Sequence, residues 1–157
     1  MQLRLDPLRV ADAPEMARVL SAPELYAVIG GAPPTEAELT ERYRQQVGGR
    51  SADGTEEWLN WVVRVDEAAV GYVQATVLPD ARACVAWVIG RPWQGRGHAT
   101  AAGRAMLAEL AARGVTRVDA WIAPGHRSSE AVAERLGLTP SGEQDPDGEQ
   151  RWTGPAR

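Results

Sequence analysis

The 157-residue sequence lacks phenylalanine and contains a single cysteine, Cys84. One thiol excludes an intramolecular disulfide framework and is typical of a protein in a reducing cytoplasm. No segment approaches the ~18 consecutive apolar residues of a transmembrane helix, so no membrane partner is expected. An acidic residue, Asp6, stands where a secretory signal would have its apolar region. The sequence therefore predicts a cytoplasmic protein without a membrane anchor.

Positive charge is also scarce, because lysine is absent and arginine supplies all 17 basic side chains. The formal net charge is -4, whereas proteins that bind nucleic acid normally carry a basic balance or a basic stripe. No nucleic-acid partner is therefore expected. The bias toward Ala, Arg, Gly and Pro suggests a GC-rich bacterial genome. The length suits one domain with a real core, expected over residues 1–157.

A short apolar run followed by a glycine-rich turn lies in the middle of the chain. Residues 83–89 form an apolar run rich in Val, Ile and Trp, which is typical of a buried strand, and Gly90 and Pro92 end it. The turn at residues 94–99, Gln-Gly-Arg-Gly-His-Ala, leads into a segment of high helix propensity at residues 97–113. Unpaired N–H groups and the positive end of the helix dipole attract phosphate at such a position. The pattern predicts a binding site for a phosphorylated ligand.

The other segments predict the order strand, short helices, three antiparallel strands, helix, strand, helix and hairpin. Three helix starts are expected where Asp12, Ser21 and Thr35 are each followed three residues later by Glu. Gly137 should end the last helix. Strands are expected at residues 2–6, 57–65, 69–78, 83–89 and 115–122, followed by a hairpin from residue 138 to about residue 152. This order predicts an α/β fold with a mixed sheet.

Two motifs and the order of the elements resemble the GCN5-related N-acetyltransferase (GNAT) superfamily. Gln94, Gly97 and Ala99 match its signature Gln/Arg-x-x-Gly-x-Gly/Ala. Residues 129–138, Ser-Glu-Ala-Val-Ala-Glu-Arg-Leu-Gly-Leu, resemble the last helix of the family. The local sequence around Trp93 most resembles that of the ribosomal-protein alanine acetyltransferase branch.

The resemblance implies a single GNAT-like domain of the α/β (α+β) class. Its sheet would be mixed and mostly antiparallel, with six to seven strands and helices on both faces. A splay between the central parallel strands would admit acetyl-CoA. The implied activity is transfer of the acetyl group to a primary amine by direct attack in a ternary complex. The acceptor would be a peptide or protein N-terminus or a small amino compound, the protein a monomer or homodimer, and no metal would be needed.

The same resemblance implies the positions of the cofactor and of the reacting groups. Backbone N–H groups of the turn would hold the CoA pyrophosphate, and the strand edge from Trp87 to Ile89 would pair with the pantetheine arm. An N–H of Trp87 or Val88 would stabilise the oxyanion. Ser129 would contact the thiol sulfur or the pantetheine, and either Ser128 or Ser129 would cap the last helix. The expected catalytic residues are Ser129, Trp87 and Val88. The expected cofactor-binding residues are Trp87, Val88, Ile89, Gln94, Gly95, Arg96, Gly97, His98, Ala99, Thr100, His126 and Ser129.

Three positions depart from the family's catalytic pattern. His126 stands where relatives often have Asn, Ala133 where many have a Tyr acid, and Cys84 where others have a Glu base. A thiol with a pKa near 8.5 leaves with little acid help, and an α-amine with a pKa of about 7.8 needs less base than a lysine. The sequence thus favours an α-amine or small amino compound as acceptor. The alternative is a non-catalytic acyl-CoA-binding or regulatory module.

The acceptor side carries fewer signals. If the family plan holds, the short N-terminal helices should wall the acceptor pocket, with Tyr26 and Tyr43 among their residues. Glu57, Asp80 and Asp119 are the acids expected nearest the cleft, and each is also typical of a solvated strand end or turn.

Overall fold

One seven-stranded sheet runs through the protein. The structure is a computed structural model that describes residues 2–157. The strand order is β1-β2-β3-β4-β5-β7-β6, and every neighbouring pair is antiparallel except β4 and β5. The strands are Leu3–Pro7 (β1), Glu57–Val65 (β2), Ala68–Val77 (β3), Arg82–Ile89 (β4), Arg117–Ile122 (β5), Thr139–Gln144 (β6) and Gln150–Pro155 (β7). The mixed, mostly antiparallel sheet expected from the sequence is confirmed.

Residues 2–157 contain five α-helices and three short 3-10 helices. The α-helices are Ala13–Val19 (α1), Tyr26–Ile29 (α2), Glu36–Gln46 (α3), His98–Ala112 (α4) and Arg127–Arg135 (α5). The 3-10 helices are Val10–Asp12, Pro23–Leu25 and Arg91–Trp93. In this described part of the chain, none of the helices combines the length and apolar character needed to cross a membrane.

Helices cover both faces of the sheet, and each face has its own hydrophobic core. On one face, α4 buries Ala102, Met106 and Leu110 against the strands, since positions four apart share one side of a helix. On the other face, Met16 of α1 and Leu39 of α3 pack with Val62 of β2. The sequence prediction of helices on both faces is confirmed.

The parallel strands β4 and β5 stay together over only three residue pairs. Arg82 faces Arg117, Ala83 faces Val118 and Cys84 faces Asp119, and the pairing ends there. Both strands continue past that point, β4 along β3 and β5 along β7. The divergence opens the sheet at its centre, so the expected splay is present.

Only one of the predicted helix caps forms as expected. The Thr35 hydroxyl accepts a hydrogen bond from the Glu38 N–H (3.1 Å), and the Glu38 carboxylate accepts one from the Thr35 N–H (3.0 Å). Asp12 is the N-cap residue of α1 as predicted, but its side chain does not cap the helix. Its carboxylate accepts hydrogen bonds from the Arg9 N–H (2.8 Å) and from the buried Arg64 (3.2 Å) instead. A buried guanidinium outcompetes the helix end for this carboxylate.

The serine caps are also corrected. The Ser21 hydroxyl donates to the Arg18 carbonyl (2.8 Å), and the next helical turn begins after Ala22 instead. Neither Ser128 nor Ser129 caps α5, because the helix starts at Arg127 with His126 as its N-cap residue. The preceding turn is closed by a hydrogen bond from the His126 N–H to the Ala123 carbonyl, and the helix therefore begins earlier than the serines suggest.

Candidate active site

A groove of about 860 Å³ lies where β4, the glycine-rich turn, the N-terminal half of α4 and one side of α5 meet. The structure brings the whole predicted cofactor-binding set together around this groove, and its function as a ligand site stays a prediction. The set comprises Trp87, Val88, Ile89, Gln94, Gly95, Arg96, Gly97, His98, Ala99, Thr100, His126 and Ser129.

The turn owes its shape to two glycines and one side-chain hydrogen bond. Gly95 and Gly97 have φ values of 79° and 82°, a left-handed conformation that favours glycine. The Gln94 amide donates to the Ile89 carbonyl (2.9 Å) and ties the turn to the end of β4. Gly97 is the N-cap residue of α4 and has no side chain that could bond the first-turn N–H groups. These groups therefore have no side-chain cap and are available to a ligand in the groove.

Arginine side chains give the groove a positive character that the net charge of -4 conceals. Arg96 of the turn is joined by Arg91, Arg104 and Arg135, whereas Glu24 is the single carboxylate among the described residues that line the groove. Sequence reasoning missed the last three arginines. Arg104 follows Thr100 by one helical turn, so helix periodicity contained a usable signal for that residue. The groove suits a ligand with several negative charges.

A second cavity of about 320 Å³ adjoins the groove. Cys84 and Ala86 of β4 and Trp121 of β5 line it, together with Tyr72 of β3 and Glu149, the residue before β7. Residues lining both the groove and the second cavity are Trp87, Val88, His126 and Ser129. The two spaces therefore meet at the splay between β4 and β5.

Ser129 and His126 lie at the junction of the groove and the second cavity. The Ser129 Oγ is 3.4 Å from the His126 Nε2. Burial lowers the pKa of His126, so its imidazole is neutral at pH 7 and one ring nitrogen can accept a proton. Ala133, at the position where the resemblance implies a tyrosine acid, is fully buried in the core and offers no proton donor.

Cys84 is poorly suited to nucleophilic chemistry. Burial is the main cause that raises its thiol pKa, and the charges of Asp119 and Glu149 add to the effect. A thiol of raised pKa stays protonated at neutral pH and is a weak nucleophile. The structure thus favours a half-buried small apolar role for Cys84 over an acyl-cysteine intermediate.

The acids expected near the cleft are not those that reach it. Asp119 is only 7% exposed and is held by Arg82 (3.2 Å) and Arg151 (3.8 Å). Glu57 pairs with Arg113 (3.6 Å). Neither of them, nor Asp80, lines the groove or the second cavity. Glu149 does line the cavity, and sequence reasoning missed it because the hairpin was predicted without its register to β5.

The N-terminal helical segment borders the groove rather than the second cavity. Leu25 lines the groove, whereas Tyr43 is buried beneath α1 in the second core. The Tyr26 hydroxyl donates to the Leu20 carbonyl (2.8 Å) and braces the segment. Tyr72 of β3 is the tyrosine that lines the second cavity. Among residues 2–157, no group of three or more His, Cys, Asp or Glu side chains could hold a metal ion.

Comparison with solved structures shows which proteins share this fold. An aminoglycoside acetyltransferase, AAC(6')-Ib, in complex with coenzyme A has a TM-score of 0.82 and 18% identity, covering 98% of this chain and 95% of that chain. Spermidine N-acetyltransferase from Vibrio cholerae in complex with CoA and spermine has a TM-score of 0.82 and 16% identity, covering 99% and 96%. An acetyltransferase from Thermus thermophilus has a TM-score of 0.76 and 24% identity, covering 99% and 97%. At these identities the likeness shows a common fold.

The sequence itself matches a family model described as an acetyltransferase (GNAT) domain over residues 2–139. Comparison with curated proteins gives no significant match. Because the family match covers most of the chain, the protein belongs to the GNAT acetyltransferase family. The resemblance inferred from the two motifs is thereby confirmed at the family level, and the likeness to the ribosomal-protein alanine acetyltransferase branch stays a prediction.

Proposed function

We propose that this protein, as a single domain, is an acetyl-CoA-dependent N-acetyltransferase. The groove would bind the cofactor, and the second cavity would bind a primary amine. The observation that carries the proposal is the meeting of these two spaces at Trp87, Val88, His126 and Ser129. An amine in one space can there reach an acetyl group held in the other.

The groove fits the chemistry of CoA at three points. Its four arginines carry charge opposite in sign to that of the phosphates, and the first-turn N–H groups of α4 suit the pyrophosphate. The pairing of β4 with β5 ends at Cys84, so the edge of β4 from Trp87 to Ile89 faces β5 without a ladder there. Backbone groups on such an edge can pair with the amides of an extended pantetheine arm.

In this reaction the protein mainly has to position the amine and the thioester and to stabilise the charge that develops on the carbonyl oxygen. Acetyl-CoA supplies an acetyl group activated as a thioester, with a thiol leaving group of reference pKa about 8.5. A backbone N–H of Trp87 or Val88 would donate to the carbonyl oxygen as negative charge develops on it. The Ser129 hydroxyl would donate toward the departing sulfur, and the neutral His126 beside it could exchange the proton.

The acceptor cavity favours a small amine-bearing group. Its volume of about 320 Å³ is at the lower end of the range for small-molecule sites. A small amino compound, or the first residue of a peptide with its α-amine, would match this size. Aminoglycosides and spermine are bound by the structural neighbours, and they serve here as probes of acceptor size and charge.

Release of free thiol from acetyl-CoA, measured with a panel of amines, tests the proposal. The panel contains a peptide with a free N-terminal alanine, an N-blocked peptide with one internal lysine, spermidine and kanamycin. We expect turnover with at least one amine, and faster turnover of the α-amine peptide than of the blocked lysine peptide. Tight acetyl-CoA binding in calorimetry without turnover of any amine would favour the regulatory module instead. Absence of acetyl-CoA binding would contradict both functions.

A further inference from the structure

Glu149 is the one carboxylate that lines the second cavity among the residues that the structure describes. It is the last residue of the turn between β6 and β7. The register of β7 on β5 pairs Gln150 with Ile122, which is the last residue of β5. Glu149 therefore follows the end of β5, on the open side of the splay.

The turn around Glu149 is held by a small network of backbone hydrogen bonds. The Asp145 Oδ1 accepts from the Asp147 N–H (3.0 Å) and from the Glu149 N–H (2.8 Å). The Asp145 N–H in turn donates to the Glu149 carbonyl (2.9 Å). The backbone of Glu149 is thus fixed before any ligand arrives, which lowers the cost of using its side chain for binding.

The cations near this part of the sheet are committed to other carboxylates. Arg151 contacts Asp119 (3.8 Å) and Glu143 (3.2 Å), and Arg82 contacts Asp119 (3.2 Å). Within residues 2–157, no arginine or histidine forms an ion pair with Glu149. Glu149 therefore brings an uncompensated negative charge to a cavity that otherwise has few charged groups.

The surroundings of Glu149 suit a cation attached to an apolar body. The rings of Tyr72, Trp87 and Trp121 line the same cavity, and aromatic faces attract ammonium groups. Partial burial is the main cause that raises the pKa of Glu149, and the negative charges of Asp145 and Asp147 raise it further. A carboxylate whose pKa moves toward neutrality is a better proton acceptor at pH 7.

We propose that Glu149 binds the ammonium group of the acceptor amine and accepts its proton before the attack. This inference rests on the proposed function and adds the substrate class, which is a primary amine that is protonated in solution and carries an apolar or aromatic body. Glu149 takes one proton from the ammonium nitrogen. The nitrogen lone pair then forms the C–N bond to the acetyl carbon, and the C–S bond breaks. The second nitrogen proton ends on the thiolate, and Glu149 returns its proton to solvent.

The variant Glu149→Gln removes the charge and the basic oxygen while keeping the shape. Its matched control is Glu143→Gln, because Glu143 is an exposed acid of the same hairpin that does not line the cavity. For the amine that the wild type acetylates best, we expect E149Q to lower kcat/KM about 10²- to 10⁴-fold at pH 7. Acetyl-CoA affinity should be unchanged in both variants, and E143Q should keep the wild-type kcat and KM.

The pH profile separates a base from a purely structural residue. Other titratable groups are close by: Tyr72, Cys84 and His126 line the cavity, and Asp145 and Asp147 lie beside Glu149. The fall in kcat/KM at low pH is therefore assigned by comparing the variants. Wild-type kcat/KM should fall as pH drops through the pKa of Glu149, and E149Q should lose that limb and gain rate as pH rises. Glu149→Asp should recover part of the rate. If E149Q keeps the wild-type kcat, KM and pH profile, the role of Glu149 alone is overturned. If the wild type acetylates no amine, the proposed function is overturned together with it.

Discussion

Cys84 faces Asp119 as the last residue pair of the parallel β4-β5 ladder. The second cavity begins at this pair, since Cys84 lines it, and the groove lies further along, where the strands diverge. The thiol of Cys84 has a raised pKa, and the Asp119 carboxylate is bound by arginines. Both arginine contacts fall on the Asp119 Oδ2, and the buried Oδ1 has no hydrogen-bond partner among the described residues. Asp119 lines neither space, so we expect the reacting groups to come from residues past this pair.

The phosphate site at the start of α4 can be tested by Gly97→Glu. The new side chain would bring negative charge to the N–H groups that are expected to bind the pyrophosphate. Gly97 also has a left-handed backbone with φ 82°, which a side chain would strain. Contacts at a helix N-terminus contribute up to ~2 kcal/mol, so CoA affinity in calorimetry should fall by up to about thirtyfold.

A second glycine, just past the other end of the same helix, provides the control for that experiment. Gly114 follows the C-terminal end of α4, has φ 93° and likewise has no atom within 4 Å of an added Cβ. Gly114→Glu therefore imposes similar backbone strain and the same charge far from the groove. It should bind CoA with wild-type affinity, and an equal loss in both variants would contradict a phosphate site at Gly97.

Ser129→Ala tests whether this serine acts on the reaction. Because α5 begins at Arg127, Ser129 is not the helix cap, and its hydroxyl contacts His126 instead. A hydrogen bond to a charged group contributes about 1.5–3 kcal/mol, so loss of the donor should lower kcat about 10- to 100-fold. The melting temperature should change little.

Ser128→Ala is the matched control, because Ser128 is the neighbouring residue in the same helical turn. It lines the groove but not the second cavity, and it is exposed. S128A should keep the wild-type kcat. A drop in melting temperature with unchanged kcat in S129A would indicate a purely structural serine.

Much of the fold could be predicted because its signals are local. The strand at Glu57–Val65 has the predicted bounds, and the helix starting after Thr35 is capped as its sequence indicates. Gly97 and the residues around it combine turn chemistry with helix propensity in a continuous stretch. The groove could therefore be placed from the sequence alone.

The second cavity could not be predicted, because long-range register decides which side chains reach it. Glu149 comes to the splay through the pairing of β7 with β5, and no nearby residue signals that alignment. Asp12 was expected to cap a helix, yet it bonds Arg64, which is 52 positions away. Contacts of this kind follow from the tertiary packing and leave no periodic pattern in the sequence.

Arg64 holds three carboxylates together between β2, β1 and α1. Its guanidinium contacts Asp6 (3.0 Å), Asp12 (3.2 Å) and Glu15 (3.1 Å), and its side chain is 10% exposed. Arg64→Met keeps an unbranched apolar stem but leaves these carboxylates without their shared cation. Removing one partner of a buried ion pair costs ~3–5 kcal/mol, so the free energy of unfolding in urea should fall by about that amount.

Arg4→Met provides the control, because Arg4 also contacts Asp6 but its side chain is 42% exposed. Exposed ion pairs contribute little because water and salt screen them, so R4M should destabilise the protein much less than R64M does. Both variants should bind CoA normally when folded, since neither residue lines the groove. Equal stability losses in R64M and R4M would contradict the importance of burial at Arg64.

The same network predicts how stability responds to acid. The hydrogen bond from Arg4, with a contribution from Arg64, lowers the pKa of Asp6 below its usual 3.8. Burial acts to raise the pKa of Glu15, but hydrogen bonds from the Ala69 N–H and Arg64 outweigh it, and the pKa lies below 4.5. A carboxylate with a lowered pKa in the folded state stabilises the protein above its unfolded pKa and loses that effect as pH falls.

Unfolding measured in urea between pH 7 and pH 3 tests this sign. Stability should be nearly constant down to about pH 5 and should then decline as Asp6 and Glu15 become protonated. In R64M the carboxylates have lost a cation, so protonation costs less and the decline should be shallower. The difference between wild type and R64M should therefore narrow toward pH 3. A constant difference across the range would show that the Arg64 side chain stabilises the protein through packing rather than charge.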